Sequence, residues 1–194
     1  MQMLGALVNL LLILACIYAM YSLKPEDHPY GYMMVSFSLV HGLLTLVLYY
    51  NEDTEDEPVE CGRCFQISNS ILEVIPLPMA NIEFYLLSDE SEVAQVHGLS
   101  LIPLFYDIIG KVVDDWNTST ETLKDIALLF NIASTMYLTI KDGNHIYGAV
   151  AATALMARFG TSLVDRFAEG YGTYLATLGH AGIVALMTYA LTEA

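Results

Sequence analysis

From Met3 to Leu23, and again from Tyr30 to Tyr50, the chain carries no Asp, Glu, Lys or Arg; His41 is the only titratable basic group in either run. A water-soluble helix of that length marks its exposed face with charge. A helix in hydrocarbon does the opposite, because a charged side chain at mid-bilayer costs on the order of 3 kcal/mol or more. Each run is close to the roughly 20 apolar residues that a spanning helix needs. The rest of the chain keeps the same segregation, with acidic residues crowded into short segments such as 51–60. Charged residues make up 15% of the chain, against about 25% in soluble domains. The sequence therefore predicts an all-α, polytopic transmembrane helix bundle with short loops, one domain over residues 1–194.

Hydropathy places the seven apolar stretches at about Met3–Leu23, Tyr30–Tyr50, Phe65–Leu87, Val93–Val113, Thr122–Ile140, Ile146–Val164 and Tyr171–Leu191. The first, second and last read as spans outright. The third to fifth carry Glu73, Asn81, Glu83, His97, Asp107, Lys111, Lys124, Asp125 and Asn131. They are expected to lie centrally or to face a cavity, since lipid solvates none of these groups. Pro76 and Pro78 remove backbone donors from the third, so a broken or re-entrant segment there is an alternative. The expected count is six or seven spans.

A net charge of −15 with only seven Lys and Arg excludes a nucleic-acid interface. It also excludes docking on anionic headgroups through a basic patch. The expected partners are membrane lipid and, as an option, a second copy or another membrane protein. Asn117-Thr118-Ser119 is an N-glycosylation sequon. In a seven-span topology it shares a face with Cys61 and Cys64, which read as a local disulfide or as two free thiols. That favours the secretory pathway or plasma membrane, with the N-terminus outside.

The intramembrane polar groups are the functional candidates. By position along their spans, His41, Glu73, Arg158 and His180 are expected at similar depth, with Glu73 and Arg158 as an ion pair flanked by the histidines. Such a set either locks two helices together or forms the polar wall of a ligand or proton site. Asp107 and Lys111, one turn apart, with Asp125 near the start of the next helix, form a second cluster that reads as a charged cap. Small residues at Ala149, Thr153, Ala157 and Thr161 and at Gly172, Ala176, Gly179 and Gly182 suit close helix packing.

Phosphate loops, zinc-hydrolase motifs and nucleophile elbows are absent from the sequence, and no metal-ligand set is legible. The leading expectation is a non-enzymatic protein that binds a lipid, a pigment or another apolar molecule, or that serves as a packing component of a specialised membrane. The alternative is a small proton- or cation-coupled transporter or channel using the His–Glu–Arg set.

Overall fold

The computed structural model describes residues 2–51, 59–113 and 118–193. Among them it is all α-helical: α1 (Gln2–Ser22), α2 (Pro29–Asn51), α3 (Val59–Val74), α4 (Pro76–Leu87), α5 (Leu101–Val112), α6 (Thr118–Asp142), α7 (His145–Phe159), α8 (Thr161–Phe167) and α9 (Gly172–Thr192). A 3₁₀ helix, Ser91–Ser100, leads directly into α5. Six segments are long and apolar enough to cross a membrane: Met3–Ser22, Pro29–Tyr49, Gly62–Leu87, Ser91–Val112, Thr120–Asp142 and Gly172–Thr192. The sixth stretch predicted from hydropathy does not reach that length. It ends at Phe159, and α8 follows after Gly160. Fifteen residues of α7 rise about 22 Å, short of a hydrocarbon core of about 30 Å.

The α3–α4 segment is one passage broken at Ile75. Pro76 has no N–H for the Leu72 carbonyl, and Pro78 has none for Val74, so two alternate rungs of the helix are missing. Ile75 still donates to the Ile71 carbonyl (2.9 Å), and Met79 donates to the Ile75 carbonyl (3.2 Å), which keeps the two halves continuous. The passage forms the axis of the bundle. In its most apolar window 78% of residues are buried, whereas the corresponding shares are 28% for the 3₁₀–α5 passage and 33% for α6.

Of the third to fifth segments, expected to lie centrally or to face a cavity, only the third is central. The other two sit at the periphery and turn their polar residues inward. Leu104 and Asp107 of α5 are buried while Ile102, Phe105, Tyr106, Ile109 and Val112 are exposed. In water that outer face would be an aggregation surface; in hydrocarbon it is ordinary lipid-facing helix.

Packing around the axis uses small residues where helices meet. α9 packs against both α1 and α7. A Cβ at Gly179 would collide with the side chain of Ala157 and stand 3.1 Å from its Cα. At Gly42, a Cβ would lie 2.7 Å from Ile13 Cγ1, so α1 and α2 are equally close there. Without a hydrophobic drive between helices in lipid, such contacts supply much of the association energy.

Buried polar groups on the axis are each matched to a task. Glu83, 2% exposed, accepts from the backbone N–H groups of Tyr30 (2.8 Å) and Gly31 (2.9 Å), with His28 Nδ1 at 3.4 Å. It satisfies first-turn donors of α2 that otherwise have no partner. Asn81 donates to both the carbonyl and Oδ1 of Asn131 (3.0 Å each), and Thr135 donates to Asn81 Oδ1 (2.6 Å). Asn131 in turn donates to Ser100 (2.6 Å), and its Oδ1 lies 2.9 Å from His97 Nδ1. This neutral network ties α4, α6 and the 3₁₀ helix together.

Candidate functional site

Two features stand side by side in the half of the bundle that holds the start of α1 and the end of α2. One is a charged network and the other is a cavity.

The network forms because the sequence places cations inside helices whose outer faces are apolar, where only carboxylates can receive them. Arg158, in the last turn of α7, spends all three guanidinium nitrogens. Nε donates to Asp125 (2.7 Å), Nη1 meets Glu73 (3.1 Å) and Nη2 donates to Glu121 (2.8 Å). Lys124 is 2% exposed and reaches Glu121 (2.5 Å), Asp107 (3.3 Å) and Glu73 (3.6 Å). Lys111 pairs with Asp107 (2.7 Å) and donates to Ser70. Glu73 completes its set by accepting from Asn69 (2.9 Å). Four carboxylates thus face three cations, with Glu121 and Asp125 toward the exposed edge and Lys124 at the buried centre.

The two clusters read separately in the sequence are therefore one. Asp107, Lys111 and Asp125 are joined to Glu73 and Arg158 through Lys124. They do not form an independent cap on the α5–α6 hairpin. Arg158 also differs from expectation in position, lying at the end of α7 rather than at its centre.

Beside this network a cavity of about 430 Å³ runs from the helix ends around Gly5, Tyr49 and Tyr174 inward to His180, Leu77 and Ile183. Its wall includes His41, Glu73, Arg158 and His180, so the four residues singled out as one set border a common space. The break at Pro76 lies on the same wall, where a continuous helix would run past.

Hydrogen-bond accounting separates the wall residues. His41 is satisfied on both nitrogens, with Ser68 Oγ at 2.8 Å from Nδ1 and Thr45 Oγ1 at 3.3 Å from Nε2. Thr45 gives its one hydroxyl proton to the His41 carbonyl (2.9 Å), so at Nε2 it can only accept. His41 then carries a proton on Nε2, pairs with Ser68 through Nδ1 and is stacked on Phe65 at 5.6 Å. Glu73 and Arg158 are consumed by the network.

Two wall atoms are left over. His180 Nδ1 and Asn9 Oδ1 are buried and have no hydrogen-bond partner among the described residues. The Asn9 amide is fixed in orientation because Nδ2 donates to the Gly42 carbonyl at 2.6 Å, which leaves Oδ1 as an open acceptor.

Asn9 was not among the residues singled out from sequence, and Lys124 was named there only as one polar residue of the fifth stretch, although each carried a signal. Asn9 is the one carboxamide between Met3 and Tyr18 in the most apolar helix of the chain. Lys124 lies among Leu123, Ile126, Leu128 and Leu129, a setting in which a lysine needs a partner. Cys64 is an exposed free thiol on α3. The side chain of Cys61, and the whole of Asn117, lie outside the described residues.

No curated protein and no solved structure matches the chain. The profile of the family described as domain of unknown function (DUF4791) matches residues 25–191, most of the sequence, and the chain belongs to that family.

Proposed function

We propose that this multi-pass helical protein is a non-enzymatic binder of a small apolar or amphipathic molecule, held in the cavity between α1, α2, the α3–α4 break, α7 and α9. The supporting observation is a cavity of about 430 Å³, within the range of roughly 300–1,000 Å³ typical of ligand pockets. Glu73 and Arg158 on its wall are already paired with each other, and Asp165 accepts from the Gly172 backbone N–H (2.7 Å). Leu72, Leu77, Leu128, Phe65 and Ile183 supply apolar surface to its wall, beside the polar side chains that converge on it. That is the composition of a site that recognises a mostly apolar molecule and orients it by a few contacts.

The competing reading, a proton- or cation-coupled carrier, draws on the proline break and the acidic groups beside it. Against it stands the saturation of Arg158, Lys124 and Glu73 by one another. A carrier needs a group that exchanges its partner during the cycle.

The two readings separate in one experiment. The protein is extracted from its source membrane in native nanodiscs, the bound small molecules are identified by mass and absorption, and proton flux is followed after reconstitution in liposomes. A stoichiometric bound molecule without flux supports the binder. A ligand-free protein whose flux is abolished by Glu73→Gln transfers the function to transport.

A further inference from the structure

The two unpaired atoms specify more than an apolar ligand. Asn9 is 2% exposed and His180 is 7% exposed, yet Asn9 Oδ1 and His180 Nδ1 have no partner among the described residues, and both residues line the cavity. A buried polar atom left unpaired is costly, so a group of opposite hydrogen-bonding character that reaches either atom from the cavity gains by pairing with it. The Asn9 amide cannot be turned around without losing its bond to the Gly42 carbonyl, so whatever meets Oδ1 must donate a proton. A carboxylate or phosphate diester only accepts and fails at that atom. An ammonium also donates, but Glu73 and Asp165 on this wall already have partners, and the neutral Asn9 oxygen alone does not repay the desolvation of a buried charge. A hydroxyl donates and accepts without charge.

Resting on the cavity reading above, we propose that the ligand is an uncharged amphiphile with a hydroxyl head. The hydroxyl donates to Asn9 Oδ1, and His180 Nδ1 bonds to the same hydroxyl or a second one. The alkyl part lies against Leu72, Leu77, Leu128 and Ile183. His41, whose two nitrogens are already matched, contributes only its ring face.

The test uses the full chain in non-ionic detergent and four probes of equal length: decanol, decane, decanoate and decylamine. Binding is read by native mass spectrometry across a titration. Decanol is expected to bind at least about tenfold more tightly than each of the other three, the factor that one satisfied buried group commands. In His180→Phe the ring is retained and none of the hydrogen bonds described above is broken. The advantage of decanol over decane should shrink by at least about threefold in this variant, while decane binding stays unchanged. Asn9→Leu should remove the advantage more fully, and circular dichroism checks that the loss of the Gly42 bond has not unfolded it. If decane equals decanol, or a charged probe binds more tightly, the hydroxyl assignment falls while the cavity reading stands. If none of the four binds, both fall.

Discussion

Lys124 is the buried centre of the charged network, and its removal should be far more damaging than removal of Glu73. In Lys124→Met the side chain keeps its length and apolar stem, but Glu73, Asp107 and Glu121 each lose one cationic partner. Four carboxylates would then face two cations. Breaking one side of a buried ion pair costs about 3–5 kcal/mol, because the remaining charge stays buried. Glu121 is about half exposed and contributes least to that figure, so about 3 kcal/mol is expected.

Glu73→Gln acts in the opposite direction. Arg158 keeps Asp125 and Glu121, Lys124 keeps Glu121 and Asp107, and the amide oxygen can still accept from Asn69. The substitution also removes the surplus negative charge, so the loss is about 1 kcal/mol. The double variant restores the original imbalance and should cost at least about 1 kcal/mol less than the sum of the two singles. The assay is reversible unfolding by sodium dodecyl sulfate titration in mixed micelles, read by circular dichroism. A Lys124→Met protein as stable as Glu73→Gln, or strictly additive effects, would refute the network as the organising element of this half of the bundle.

Four further outcomes follow from the packing. Gly179→Val drives a side chain into Ala157 on α7 and should destabilise by about 1–3 kcal/mol in the same assay. Gly98→Ala, where an added Cβ meets nothing within 4 Å, should stay within about 0.5 kcal/mol of the parent. Glu83→Leu strands the N–H groups of Tyr30 and Gly31 at a cost of about 2–5 kcal/mol, and Glu83→Gln, which keeps an accepting oxygen, should recover most of it. In a Cys61→Ser background, a water-soluble maleimide should modify Cys64 rapidly and leave the buried Cys16 untouched until the protein is unfolded. Rapid double labelling in the folded state would contradict the burial of Cys16.

The segregation of charge made the helical class legible, because the cost of an ion in lipid leaves its mark on composition before any packing is known. The proline break was legible for the same kind of local reason: a missing N–H at Pro76 needs no tertiary information. Which helix faces which was not. Glu73 and Arg158 are 85 residues apart, and nothing in the sequence showed that Asp125 and Glu121 would share the same guanidinium.

Lys124 was legible as a polar residue that must turn away from lipid, but its place at the centre of the network was not, because that depends on three carboxylates delivered by α3, α5 and its own helix. The peripheral place of α5 and α6 was equally hidden. Counting polar residues tells how many must turn inward, but the angular spread of Asp107 against Ile102, Phe105 and Ile109 decides whether a helix can do so from the edge. Asn9 illustrates the same limit. Its single bond to the Gly42 carbonyl exists because Gly42 lets α1 and α2 approach, a contact between positions 33 residues apart.

The claim that the cavity holds a molecule is tested most directly by comparing the wild-type protein with Ala176→Phe, both recovered from the source membrane and weighed intact by native mass spectrometry. Ala176 lines the cavity and takes no part in the charged network, and a phenyl ring there occupies ligand volume. The expected result is a discrete added mass on the wild-type chain that is absent from a folded Ala176→Phe protein. A wild-type chain at its bare mass, or an added mass that persists in Ala176→Phe, would contradict the account.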